Sequence, residues 1–225
     1  MLVLAELTPK AKREKVVKLI SELGSFDGYD IPHSVLGMPA VLPIAIAETV
    51  RHVQPDKVVI VNQRLYDVNE LFVASLSLTA KYTGFWITFT IGDLPKIGKP
   101  VDHLSSERAV MVAKSVNPEV KAGMMVSTRR GRGAVEERVN FPADFFLVLN
   151  FANEDWLKPF ASRLIPYVLV ETEKNREIVR EIKQPTFKEE EVGNLLGELE
   201  GSGYMGAIIS TLGDEEALKR VSKVI

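Results

Sequence analysis

Residues 57–95 read KVVIVNQRLYDVNELFVASLSLTAKYTGFWITFTIGDLP. Two short apolar runs, Lys57–Leu65 and Phe85–Ile91, flank an amphipathic stretch, Val68–Tyr82. Runs rich in Val, Ile and Phe without strict alternation suit strands buried on both faces. Strand, helix and strand in that order predict a parallel pair joined by a right-handed crossover. The unit recurs in both directions along the chain. Upstream lie the apolar runs Leu2–Leu7 and Phe26–Ile31; downstream lie Val120–Val126, Phe145–Phe151, Ile165–Val170 and Tyr204–Leu212. Helical patterns fill the gaps at Lys10–Leu23, Ala45–His52, Ser105–Ser115, Asp155–Arg163, Lys174–Ile182 and Lys188–Leu199, and Asp214–Val224 closes the chain. In the first of these, Val16, Val17, Leu19, Ile20 and Leu23 share one face and Lys and Glu take the other.

Eight such units in 225 residues predict a (β/α)8 TIM barrel, with residues 1–225 as a single domain. The rival is a doubly wound open sheet, but no GxGxxG follows the first strand. The fifth unit is thin. Between Val126 and Phe145 the chain reads STRRGRGAVEERVNFPAD, which leaves room for about two helical turns.

Composition narrows the function classes. The chain is 46% hydrophobic and 26% charged, as a folded globular protein should be. Its formal charge of −2, from 28 basic and 30 acidic residues, provides no global field for nucleic acid or an anionic membrane. The absence of cysteine removes disulfides, thiolate nucleophiles, Cys-ligated zinc and iron–sulfur clusters. His33, His52 and His103 lack ligand spacing, so no metal is expected. The N-terminal MLVLAELTPKAKREK has no basic n-region, and no later run reaches the length of a membrane span. The expected setting is the cytoplasm.

A TIM barrel carries its chemistry at the C-terminal ends of its strands. Polar residues collect there: Glu6 after the first strand, Asp30 and His33 after the second, Asn62, Gln63 and Arg64 after the third. Gly92 and Asp93 follow the fourth, Arg129 and Arg130 the fifth, and Asn150 the sixth. Glu6 stands out because it interrupts LVLAEL. A carboxyl in such a strand either titrates high and serves as a general acid, or pairs with a cation at the rim. By spacing alone, Asp93 is ordinary Gly-Asp turn chemistry. The Arg129, Arg130 and Arg132 cluster reads as either an anion nest or a solvated basic loop. His33 reads as a turn cap, and Met124 and Met125 as core.

At these strand ends the sequence resembles methylenetetrahydrofolate reductase. Gly92-Asp93-Leu94-Pro95, with Gly98-Lys99-Pro100 beyond it, is similar to that family's RGDLPP…GKP loop after strand four. Glu6-Leu7-Thr8-Pro9 looks like its EFFPP motif at the end of strand one. The resemblance implies a flavin-dependent barrel reducing a methylene-tetrahydropterin, folate or a methanopterin-type carrier, to the methyl form. FAD would be the cofactor and NAD(P)H the electron donor. It implies Glu6 as general acid and Asp93 at the flavin and pterin, the two catalytic positions. It further implies Asp30, Asn62, Gly92, Asp93, Arg129 and Arg130 around the cofactor, with Gln63 and Asn150 toward the substrate.

Ile91 replaces the family's Arg, Asn62 its strand-three His, and the fifth loop is shortened. Those departures motivate a second reading, a non-redox tetrahydropterin-binding barrel that works with a partner subunit or in methyl transfer. A barrel enzyme of another class is the third, since fold does not fix function. The expected partner is a small pterin or folate, with a homo-oligomer or companion subunit left open.

Overall fold

Strands β1 (Leu2–Glu6), β2 (Gly28–Ile31), β3 (Val58–Arg64) and β4 (Trp86–Thr90) each pair in parallel with the next. Strands β5 (Ala122–Ser127), β6 (Phe145–Leu149), β7 (Leu164–Leu169) and β8 (Gly206–Ser210) continue the order, and β8 closes on β1. The computed structural model, which describes all 225 residues, is thus a closed eight-stranded parallel barrel. The TIM barrel read from the strand–helix alternation is the observed fold.

The outer ring contains α1 (Arg13–Glu22), α2 (Pro43–Val53), α3 (Glu70–Thr83), α4 (Ser106–Val116) and the short α5 (Arg132–Val139). It continues with α6 (Arg176–Ile182) and α7 (Val192–Gly201), both between β7 and β8, and ends with α8 (Glu215–Val221). Local chemistry sets several boundaries. Asn69 caps α3 by accepting from the Phe72 amide at 3.1 Å, and Ser105 caps α4 by accepting from Arg108 at 3.1 Å. Pro43 opens α2, where its missing N–H has no intrahelical partner to lose. The α5 helix has eight residues, as the thin fifth unit requires. The amphipathic stretch Asp155–Arg163 is instead a 3-10 segment, because Pro159 within it cannot donate an α-helical hydrogen bond. No helix is long and apolar enough to cross a membrane.

Strand parity divides the apolar side chains into two bodies. Outward residues such as Val59, Val61, Phe89, Val126 and Val168 join helix residues Ile20, Val73, Leu76 and Val110 in a 50-residue layer between barrel and helices. Inward residues Leu4, Ile60, Phe145, Leu147, Ile165, Tyr167 and Ile208 fill the lumen, with Trp86 and Met125 packed against them. Gly123 faces inward beside Phe145, and a Cβ there would lie 2.5 Å from ring atom Cε2. The missing side chain lets the Phe145 ring cross the lumen to Trp86, with centroids 5.4 Å apart. The lower barrel is therefore closed by aromatic rings, and the polar inward residues sit above them.

Candidate functional site

The inward parity that places Leu4 and Ile60 in the lumen carries Glu6, Asp30, Asn62 and Thr88 up to its C-terminal mouth. Glu6 pairs in register with Asp30, and Asn62 with Thr88, so four neighbouring strands present polar side chains side by side. From the far wall, Tyr167 on β7 donates to Asp30 Oδ2 at 2.8 Å. Asn62 Nδ2 donates to the same oxygen at 3.0 Å and lies 3.3 Å from the Tyr167 hydroxyl. Ser210, at the end of β8, donates to Glu6.

This network pairs one side of each group and leaves the other without a partner. Asp30 Oδ1, Asn62 Oδ1 and Thr88 Oγ1 are buried and have no hydrogen-bond partner. Buried polar atoms are seldom left unpaired, because each costs about 1–3 kcal/mol. Asp30 Oδ1, Asn62 Oδ1 and Thr88 Oγ1 thus form a row of three unpartnered polar atoms on β2, β3 and β4, buried beneath the mouth.

Burial also sets the protonation. Asp30 is fully buried, and its pKa rises to about 8, first through lost solvation and then through the nearby Glu6 charge. Hydrogen bonds from Tyr167 and Asn62 offset part of that rise. Glu6 is also raised by burial, against the lowering bond from Ser210. Burial and the adjacent carboxylates hold the Tyr167 phenol well above its ordinary value, so it stays a donor. Near neutral pH, Asp30 holds a proton, and Oδ1 is the oxygen with no donor already aimed at it. Protonated, it is a donor; ionised, it is an acceptor. A carboxyl with this behaviour can recognise and can deliver a proton.

The structure brings together Glu6, Asp30 and Asn62 of the residues singled out in the sequence, and adds Thr88, Tyr167 and Ser210. Gln63 is buried one residue beyond Asn62 and faces the outside of the barrel wall, its Nε2 donating to the Arg64 carbonyl at 2.6 Å. Asn150 bonds to Ser127 at 2.8 Å, across the β5 and β6 ends. Arg129 and Arg130 are exposed, and Arg129 is spent on the Ile182 and Lys183 carbonyls at the end of α6.

Gly92 and Asp93 lie in an exposed loop. The Asp93 carboxylate accepts from the Leu36 amide at 3.0 Å, and the Lys96 amide donates to the Gly37 carbonyl at 2.9 Å. Asp93 therefore ties the loop after β4 to the loop after β2, where Ser34 and Leu36 hold left-handed backbone at φ 45° and 55°. Asp93→Ala should cost about 1 kcal/mol and speed amide exchange at Leu36, leaving the Glu6–Asp30 network in place. Unchanged exchange at Leu36 would remove this role.

A second opening, of about 850 Å³, lies outside β7 and β8 and is lined by charged residues. Its cations are largely paired: Arg220 with Glu189 at 2.8 Å, Lys174 with Asp214 at 3.2 Å, Arg176 with Glu171 at 3.4 Å. Neither this opening nor a smaller one beside β3 is lined by Glu6, Asp30 or Asn62.

Fold and site together define a TIM barrel with a polar, proton-holding mouth. No protein-family model matches the chain, and no curated protein matches it. Among solved structures it is similar to an uncharacterised protein from Clostridium thermocellum that binds two copies of 5-methyl-5,6,7,8-tetrahydrofolic acid. The two share 15% identity and a TM-score of 0.67 over 99% of this chain and 94% of that one. Oxaloacetate acetylhydrolase, solved with its product oxalate, matches at 11% identity and TM-score 0.66, over 99% and 80% of the chains. A GH18 chitinase from Cycas revoluta matches at 11% identity and TM-score 0.59, over 100% and 99%.

At these identities the likenesses establish the fold alone. They are to these barrels and not to methylenetetrahydrofolate reductase. That overturns the family resemblance, and with it the flavin-dependent reduction it implied. The two motifs that carried it are physically unlinked here, Glu6 in the lumen network and Asp93 in a loop tie.

Proposed function

We propose that this chain is a non-redox barrel that binds a reduced pterin of the folate type at its C-terminal mouth and acts in transfer of its methyl group. The observation that carries the reading is the row of unpartnered buried atoms on Asp30, Asn62 and Thr88. The 2-amino-4-oxo edge of a pterin is an amide fused to an amidine, with N–H donors beside ring acceptors. Asn62 Oδ1 is a fixed acceptor for one such N–H, and the Asp30 carboxyl gives or takes the adjacent proton. The methyltetrahydrofolate held by a barrel of the same fold supports the choice of ligand.

The raised carboxyls suit the second half of the proposal. When a methyl group leaves N5 of a tetrahydropterin for a nucleophile, the nitrogen keeps the electron pair of the broken bond and needs a proton. Glu6, partly exposed at the mouth and raised by burial, would supply it in this reading. The methyl acceptor would come from a partner molecule.

Calorimetric titration with 5-methyltetrahydrofolate tests the binding. Wild type should bind, and Asn62→Leu, nearly isosteric, should weaken binding at least about tenfold, the effect of losing one buried hydrogen bond. Equal affinity in the variant, or no binding by wild type, would end the proposal.

A further inference from the structure

Residues 62 and 63 of β3 point to opposite sides of the barrel wall. Asn62 serves the lumen; Gln63 lines a separate cavity of about 280 Å³ between the loops after β2, β3 and β4. That volume is near the lower end for small-molecule sites, enough for a single ring with a polar substituent.

The cavity is built from specific parts. Arg64, only 2% exposed, forms part of its wall, with its guanidinium bonded to the Ser34 carbonyl at 2.9 Å and to Asp67 at 2.8 Å. The charges cancel within the wall. The loop tie made by Asp93 and Leu36 holds Gly37, Met38, Pro39, Pro95 and Ile97 over the opening. Gly37 is required there: a Cβ would lie 2.0 Å from the Leu94 carbonyl oxygen, and φ is +73°. Met38, Leu42, Phe72 and Ile97 supply the apolar lining.

Three polar side chains of the lining keep uncommitted atoms: the Ser34 hydroxyl, Gln63 and His33. Gln63 is 2% exposed and spends its Nε2 on the Arg64 carbonyl, which leaves Oε1 as a free acceptor. His33 Nδ1 accepts from the Arg64 amide at 3.4 Å, so the neutral ring carries its hydrogen on Nε2 as a free donor. Burial lowers the His33 pKa and keeps the ring neutral. A fixed acceptor, a fixed donor, the Ser34 hydroxyl that can serve as either, an apolar lining and no net charge specify the complement.

We propose that this cavity is a second ligand site, distinct from the lumen mouth, for an uncharged aromatic amide. The ligand N–H would donate to Gln63 Oε1, its carbonyl would accept from His33 Nε2, and its ring would lie against Met38, Leu42 and Phe72. The inference rests on the cavity and not on the pterin reading, and either can fail alone.

Benzamide is the probe, with N,N-dimethylbenzamide as the matched compound lacking N–H. Titrated into 15N-labelled full-length protein, benzamide should shift amides in residues 33–42, 63–72 and 95–97, with dissociation on the order of millimolar for so small a ligand. The dimethyl compound should bind about tenfold more weakly, as should Gln63→Leu with benzamide. Met38→Trp, on an exposed loop, should block the cavity and abolish the shifts even if Gln63→Leu fails to fold. Asn62→Leu should leave benzamide binding unchanged. Equal binding of the two amides, shifts centred on the lumen residues, or no shifts at 10 mM (about tenfold above the expected dissociation constant) would each overturn the proposal.

Discussion

Asp30→Asn should flatten the pH dependence of stability and make the protein more stable than wild type in alkaline buffer. The folded state holds the Asp30 proton up to about pH 8, whereas the ordinary carboxyl releases it near 3.8. Between those values the folded chain binds more protons than the unfolded chain, so stability falls as pH rises through that window and levels off above it. Glu6, raised in the same direction, adds to the slope. A shift of about four units corresponds to up to roughly 5 kcal/mol at 1.36 kcal/mol per unit, before relaxation of the mouth reduces it. Asparagine keeps the oxygen that Tyr167 and Asn62 donate to and puts a neutral amide where the ionised oxygen would be. Melting temperatures across pH 5–9 read the effect directly. Parallel curves for variant and wild type would mean that Asp30 ionises normally and that the lumen is wetter than its burial implies.

Gly123→Val should destabilise the barrel by about 3 kcal/mol. Even the first carbon of a side chain would lie 2.5 Å from the Phe145 ring, which is already packed against Trp86 across the lumen. The strand backbone cannot retreat without breaking the parallel ladder to β6, where Gly123 pairs with Phe145. Relief must come from the ring. Gly123→Val/Phe145→Ala should therefore recover much of the loss that Gly123→Val suffers alone, a coupling measurable in a double-mutant cycle by denaturant unfolding. Additive losses would mean that the glycine is needed for the backbone and not for the space.

Glu6, Asp30 and Asn62 were legible because a carboxyl or amide at the end of an apolar strand has few bland explanations. Tyr167, Thr88 and Ser210 were not. Tyr and Thr are good strand formers, and in LIPYVL and WITFT they look like filler. The usable signal was parity: Tyr167 shares a face with Ile165, and Thr88 with Trp86, all inward. Reading inward positions, rather than strand ends alone, would have found both.

Asp93 shows the opposite problem. Its motif is conspicuous, but its partner is the amide of Leu36, 57 residues away in a loop whose left-handed Ser34 and Leu36 are not glycines. The strand–helix rhythm predicted eight units and their order because each depends on local periodicity. Asp155–Arg163 departed from the expected α-helix, and it is the one expected helix with a proline inside its pattern. Contacts between distant loops leave no such trace, and so a resemblance resting on two short loop motifs failed where the fold reading held.

The aromatic floor of the barrel has a consequence for how the mouth exchanges protons. With Trp86 and Phe145 closing the lumen from below, the pore is a cup and not a conduit. Asp30 itself has no exposed surface, and Glu6 beside it is the partly exposed carboxyl of the mouth. On the proposed reading, a pterin seated over Glu6 would act as a stopper and cut the buried network off from bulk water. Occupancy and protonation would then be set together, at one opening.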